Sequence, residues 1–553
     1  MASFALRSPS WHLYAKGIEL WGEPVVGGVT NQGERPKRFR YLVEANSAWA
    51  RLRANYTEVW SKVIWRWLER LVLGAVAIFA LSFVWQYGEI VFRTIAYAYH
   101  LEWMEGGVVQ TVDRVLAGKA IYGPPALEYV PYLYTPLYYW VCGLFSTVLG
   151  VGFFACRLVS FFSAVGVALV LADWCRRETG NWAWGALAIA LWFATYDASG
   201  RWFHLARVDT FALCMSLSGA YLLRFFGGAR SAGLAGCLLF LAFLTKQSSL
   251  VSTLPVLAVV LVSDGRRGLI AGVPLGLGLV VTMWVGQHLT GGWWWFWLVD
   301  LPGLHPQAAE AVVGFWTRDL WRVAVLVALA CFGVFANAQH GGQGGAFSLA
   351  WLFGGVLMSY LSRMHSGGYL NVLMPAHLVV VLYAVVGCAR LSRELGAGER
   401  RSLGGSSTVV GLGLLLILQL QGLSYATDAC IPAPEAEAQG LAFERELAQV
   451  GGDVLVPDQR WVPSRAGQVD YGLGMAARDV YRITERDHPV RLGLLEAMGN
   501  ALAARRFAAV VTSVGDSAPG LKAHYRLLRR VVSPRPVTGW QNHPRELWVP
   551  KAR

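Results

Sequence analysis

Apolar runs of about 20 residues recur along this chain, and a run of that length spans a bilayer as one helix. They lie at about 70–92, 154–174, 182–199, 208–226, 232–246, 247–263, 268–289, 319–339, 346–362, 368–388 and 405–424. With 55% hydrophobic and only 15% charged residues, the chain reads as a polytopic α-helical membrane protein. The formal net charge of +13 would point to nucleic acid in a soluble protein. Here basic residues are expected to collect in cytoplasmic loops, and no basic stripe with interleaved aromatics lies elsewhere, so nucleic acid is not an expected partner.

The eight cysteines, Cys142, Cys156, Cys175, Cys214, Cys237, Cys331, Cys388 and Cys430, contain no Cys-x-x-Cys. Most fall in or beside apolar runs and read as small core hydrophobes, with neither a disulfide framework nor a zinc site. Residues 1–68 are polar and basic, with Arg7, Lys16, Arg35, Lys37, Arg38 and Arg40 among them. That composition leaves no cleavable signal at the start and places the N-terminus in the cytoplasm, so the first span is expected to be an uncleaved anchor. Residues 44–68, with Trp49, Trp60, Trp65 and Trp67, suit either an interfacial helix or a poorly ordered tail.

One segment decides the topology. Residues 132–150 are apolar but rich in tyrosine and carry Pro136, which suits the interface better than the bilayer centre. If the segment crosses, Arg176, Arg177, Arg266, Arg267, Arg390, Arg393, Arg400 and Arg401 face outward, and Asp209 lands opposite Glu105. If it is a juxtamembrane helix, those arginines and Arg224 and Arg230 face the cytoplasm, and the acids share the outer side. The positive-inside rule favours the second arrangement, with about eleven spans, the N-terminus inside and the C-terminus outside. The expected organisation is a basic segment 1–68, a transmembrane domain 69–428 and a small extracytoplasmic α/β domain 429–553. In the last, 437–449 and 492–506 read as helices, Val454–Val456 and Phe507–Val511 as strands, His524–Arg530 as part of a further helix, and Trp548–Pro550 as the end of the sheet.

Carboxylates next to hydrocarbon are costly and usually mark sites. Glu102 and Glu105 are spaced i, i+3 in the first outer loop, followed by Gly106-Gly107, where a close approach is allowed. A partly desolvated carboxylate there would have a raised pKa and suit a general base acting on a hydroxyl; a solvated loop charge is the plainer alternative. Arg201, His204, Arg207 and Asp209 form a second outer cluster. Cations outside break the positive-inside trend, which an anionic ligand would explain through bidentate arginine contacts, as would lipid headgroups or an Arg207–Asp209 pair. Lys246, with Gln247, sits at a tight outer hairpin, positioned to snorkel or to neutralise a phosphate. Arg363, His365 and Asn371 mark another outer span end, where His365 is more simply a hydrogen-bonding group than a catalyst. Glu102 and Glu105 together could hold a divalent ion, but no metal motif accompanies them and no cofactor is expected.

Taken in order, these pieces resemble the GT-C superfamily of membrane glycosyltransferases, nearest to bacterial members of the protein O-mannosyltransferase and aminoarabinose-transferase type. The matching pieces are Glu105-Gly106, then Leu116 to Tyr122, Tyr132 to Tyr139, Arg157 to Ser160, Arg207-Val208-Asp209, Leu244 to Gln247 and Gly367 to Asn371. The resemblance covers roughly residues 70–390. It implies transfer of a hexosyl or pentosyl group from a polyprenyl-phosphate carrier to an acceptor hydroxyl on a glycan, lipid or protein, at the outer face of a bacterial cytoplasmic membrane. By the same resemblance Glu105 would be the base, Asp209 a second acid orienting acceptor or sugar, and Arg207 and Lys246, with Arg201, the phosphate-binding cations. The chain departs from many relatives in having Trp103-Met104 where another acid precedes Glu105, which leaves open whether Glu102 substitutes. A transporter or flippase would instead place acids near the midplane between related halves, and a noncatalytic scaffold would not need carboxylates and cations to converge.

Overall fold

The computed structural model describes residues 35–339, 343–397, 403–514 and 520–552. The basic residues before Arg35, and Arg400 and Arg401, lie outside the described residues. The chain divides into two compact units, residues 1–65 and 66–553. In the first, the described residues are helical, which answers the expectation of a helix over 44–68.

Apolar sequence sets the helices of the larger unit. They are the part of α1 (Arg35–Thr94) from Arg66 on, α2 (Glu105–Leu116), α3 (Leu137–Leu149), α4 (Phe153–Thr179), α5 (Trp182–Ala194), α6 (Val208–Phe225), α7 (Ala229–Thr245), α8 (Ser249–Ser263) and α9 (Gly265–Leu289). After irregular helical turns between Trp293 and Val323 come α10 (Ala324–Gln339), α11 (Gln343–Met364), α12 (Met374–Ala397) and α13 (Leu403–Gly422). Among the described residues six helices are long and apolar enough to cross a membrane, and shorter apolar helices accompany them, so this is a multi-pass membrane protein. Small residues let the helices approach closely. A Cβ on Gly387 would lie 2.1 Å from the Leu329 carbonyl oxygen, and one on Gly333 would lie 2.3 Å from that of Tyr383. Helix α12 is consequently sheathed by its neighbours, and Leu378 to Val386 are all buried.

Helix α3 has 13 residues. At 1.5 Å per residue it is about 20 Å long, short of a hydrocarbon core of about 30 Å. Its first turn lies close to α2 and α4, and Tyr138 donates to the Cys156 carbonyl at 2.9 Å.

Residues 429–553 form a small α/β layer with α14 (Ala436–Ala448), α15 (Met475–Tyr481) and α16 (Pro489–Ala503). Strands β1 (Val454–Leu455), β2 (Ala509–Thr512), β3 (Tyr525–Arg530) and β4 (Glu546–Pro550) pair in the order β1-β2-β4-β3. Only β1 and β2 are parallel. Residues 525–530, expected in a helix, are a strand on the sheet edge. Antiparallel pairing with β4, from Tyr525↔Pro550 to Arg530↔Glu546 with an irregularity at Leu527/Arg529, supplies its backbone partners. Strand propensity depends on such neighbours, and Tyr-Arg-Leu-Leu-Arg-Arg does not show them locally. Beyond Tyr525 its side chains are exposed and mostly arginine, which discourages pairing with another chain. The last strand in the chain is not the last in the sheet, because β4 sits between β2 and β3.

Candidate active site

The loop after α1 leads into α2, which starts at Glu105. Both Glu105 and Arg157, from α4, are fully buried, with side-chain exposures of 0%. Arg157 donates to Glu105 through Nε at 2.9 Å and Nη2 at 2.7 Å. The two remaining sites on the carboxylate accept from the backbone N–H of Leu101 and of Ala206, each at 2.8 Å. A carboxylate offers about four lone-pair positions, so four donors saturate it. Burial alone would raise this carboxyl, but Arg157 and the two amides outweigh it and hold it below its ordinary value. Arg157 also donates to the Thr94, Tyr97 and Tyr99 carbonyls. Gly106 leaves room for this knot, since a Cβ there would stand 2.1 Å from the Arg460 carbonyl oxygen and 2.3 Å from His100 Nε2.

Because the Ala206 amide closes on Glu105, the loop after α1 meets the loop before α6, and the second carries Arg207 and leads into Asp209. Asp209 accepts from Lys246 Nζ at 2.7 Å and from Asn371 Nδ2 at 2.9 Å, both on Oδ1. Its Oδ2 faces Arg207 Nε at 3.8 Å. Arg207 is 2% exposed. Its guanidinium carbon sits 4.7 Å from the Trp202 ring centroid and 5.3 Å from that of Tyr134, and Nη2 donates to the Tyr134 hydroxyl at 2.8 Å. Its Nε and Nη1 have no hydrogen-bond partner.

These groups border a cavity of about 300 Å³, walled mostly by apolar side chains. Arg207, Lys246, Gln247, His365 and Asn371 line it, together with Trp103, Tyr134, Trp202, Tyr369 and Asp479. The C-terminal layer thus contributes Asp479 from α15, and burial pushes its carboxyl up to about 7 against the pull of Arg482. The far wall is tied by His305 Nδ1 to His365 Nε2 at 2.9 Å and by His305 Nε2 to the Asp479 carbonyl at 2.7 Å. Gly367 donates its amide to His365 Nδ1 at 3.2 Å.

Glu102 precedes two of the lining residues, Trp103 and Met104, in the chain and does not itself line the cavity. It is fully buried, and neither carboxylate oxygen has a hydrogen-bond partner. Burial raises its carboxyl to about 8, although Arg207 pulls it down. The raised pKa expected of an outer-loop carboxylate thus belongs to Glu102 and not to Glu105.

Three expected residues are engaged elsewhere. Arg201 pairs with Asp197 at 2.8 Å and donates to the Ala429 carbonyl. His204 is buried, 2.9 Å from the Thr94 hydroxyl, and burial lowers its pKa to about 3. Arg363 binds Asp319 at 2.8 Å and the Gly368 carbonyl at 2.7 Å, fixing a stretch of the cavity wall rather than facing the cavity. Among the described residues no three His, Cys, Asp or Glu side chains gather as a metal-ligand set. Sequence reasoning did not single out Trp103, Tyr134, Trp202 or Asp479 as site residues, nor the pairing of Arg157 with Glu105. An arginine inside an otherwise apolar run was a signal for Arg157; nothing local distinguishes Asp479.

The architecture is GT-C-like. Two solved structures of ArnT from Cupriavidus metallidurans carry the comparison. The one bound to undecaprenyl phosphate superposes with a TM-score of 0.55 at 13% identity, covering 86% of this chain and 98% of that one. The apo form gives 0.54 at 13% identity, with the same coverage. The oligosaccharyltransferase AglB from Archaeoglobus fulgidus, in complex with an inhibitory peptide and a dolichol-phosphate, matches with a TM-score of 0.47 at 11% identity, over 80% of this chain and 69% of that one. No protein-family model matches the chain, and no curated protein does.

Proposed function

We propose that this protein is a glycosyltransferase that moves a sugar from a polyprenyl-phosphate carrier to an acceptor hydroxyl at the outer face of a bacterial cytoplasmic membrane. One observation carries the reading: on a GT-C-like fold, an apolar cavity is bordered by two buried cations, Arg207 and Lys246, and Glu102, a buried carboxylate next in sequence to the lining Trp103, feels the charge of Arg207. Apolar walls suit a lipid chain, and fixed cations suit the phosphate that joins it to the sugar.

In this reading Glu102 is the base and Glu105 the group that holds the two loops together. The acceptor hydroxyl gives its proton to the Glu102 carboxylate as its oxygen attacks the anomeric carbon. The bond from that carbon to the phosphate oxygen breaks, and its electron pair leaves with the polyprenyl phosphate. A single displacement inverts the anomeric centre. Arg207 offers its two unpartnered nitrogens, Nε and Nη1, to the departing phosphate and Lys246 its charge, stabilising what develops only in the transition state. Asp209 is a positioning residue that keeps Lys246 aimed at the cavity, with Asn371 sharing the same oxygen.

The test is transfer from a polyprenyl-phosphate sugar by the full chain in nanodiscs. Glu102→Gln should leave polyprenyl-phosphate binding intact and abolish transfer. Full activity in Glu102→Gln removes the proposed base, and failure to bind any polyprenyl phosphate removes the reading.

A further inference from the structure

Gln247 lines the cavity from the turn between α7 and α8, one residue after Lys246. We propose that it recognises the transferred sugar, its side-chain oxygen accepting a hydrogen bond from a hydroxyl or amino group there, a proposal that rests on the glycosyl-transfer reading above.

The fold fixes the Gln247 amide. Nε2 donates to the Leu133 carbonyl at 2.6 Å and to the Leu298 carbonyl at 3.4 Å. Leu133 precedes α3 and Leu298 lies in the helical turns after α9, so three separate segments meet at this one nitrogen. A primary amide has two N–H groups and both are engaged, which leaves Oε1 as the free polar atom of the side chain. Oε1 is buried and has no hydrogen-bond partner. A buried acceptor left unpaired is costly, and a ligand with a polar hydrogen would satisfy it.

The other unpartnered buried atoms of the described lining residues are of the opposite kind. They are the indole N–H groups of Trp103 and Trp202, Nε and Nη1 of Arg207, and the Ser248 hydroxyl. Each of these can donate, as a phosphate requires. The Gln247 oxygen can only accept. An ionised phosphodiester offers it no hydrogen, and a polyprenyl chain carries no polar hydrogen at all. The sugar carries several, on its hydroxyl or amino substituents.

Gln247 also stands in the right place. Lys246 is the proposed partner of the departing phosphate, and Gln247 follows it on the same cavity wall. The sugar is bonded directly to that phosphate, so it is the part of the donor that comes next to Gln247. A cavity of about 300 Å³ falls at the lower end of small-molecule sites, which run to about 1,000 Å³, and suits one sugar ring rather than a long glycan.

A site built to bind a substrate hydroxyl rejects the analogue that lacks it, because its own polar group is then left unpaired. The experiment measures Kd for the full chain in nanodiscs with no acceptor present. The probes are polyprenyl-phosphate hexoses and pentoses, each with analogues in which one hydroxyl or amino group is replaced by hydrogen. For the tightest-binding sugar, wild type should bind one such analogue at least tenfold more weakly. Gln247→Met removes the oxygen, and Gln247→Lys removes it while still donating to the two carbonyls. Each variant should bind that sugar and that analogue within twofold of one another. Wild type that binds every analogue as tightly as its parent overturns the assignment and leaves the donor reading standing. A tenfold difference kept in either variant also overturns it, and if transfer is lost there, Gln247 serves the acceptor instead. No polyprenyl-phosphate sugar bound by wild type fails the donor reading and takes this one with it.

Discussion

Glu105→Gln keeps the shape of a buried side chain and removes its charge. The native carboxylate accepts four N–H groups, two from Arg157 and one each from Leu101 and Ala206. An amide turned either way presents its own N–H groups to some of these donors, so bonds are lost and like dipoles face each other. Breaking a buried ion pair by removing one partner costs about 3–5 kcal/mol. Arg157 keeps three carbonyl acceptors in the variant, which places the expected cost near the lower end. A loss of about 3 kcal/mol is more than a hundredfold in the ratio of folded to unfolded protein, at 1.4 kcal/mol per factor of ten. The assay is denaturant unfolding of the reconstituted protein, run alongside polyprenyl-phosphate binding. Arg157→Met should cost as much or more, and the double variant less than the sum, because neither charge is then left alone. Wild-type stability in Glu105→Gln with no transfer would refute this reasoning, since the carboxylate would then be acting on substrate.

If Glu102 is the base, its carboxylate is the active form, and a carboxyl raised to about 8 makes transfer climb with pH and level off above that value. The same shift makes folding less favourable as pH rises from the ordinary value of 4.5 toward 8, because the unfolded chain releases the proton first; Glu102→Gln should therefore be more stable than wild type at pH 9 as well as inactive, measured by unfolding and transfer at both ends of the range. Lys246→Met should weaken polyprenyl-phosphate binding at least tenfold and lower kcat, with more salt-sensitive binding in wild type than in the variant. Gly106→Ala should destabilise the protein or block its expression, because the added carbon meets a backbone carbonyl 2.1 Å away, whereas Gly123→Ala, with nothing within 4 Å, should not.

What the sequence by itself determined is the class of fold and the neighbourhood of the site. Apolar runs dictate helices because lipid offers the backbone no other partners, and the tyrosine-rich stretch before Gly150 forms a short one of 13 residues. The acids and cations at the span ends pointed to Arg207, Asp209, Lys246 and Asn371, which do share one cluster. Only the tertiary structure decided how Glu102 and Glu105 differ. Glu102 and Glu105 are three residues apart on similar local sequence, yet one faces four donors and the other none. Three of those donors come from Arg157 and Ala206, some 50 and 100 positions further on, and only Leu101 is local. It likewise decided the strand at Tyr525–Arg530 and the place of Asp479 at the cavity, through pairing and docking between distant segments. A side chain's charge state and reach are set by what burial brings against it, and that is a property of the packed molecule and not of any short stretch of chain.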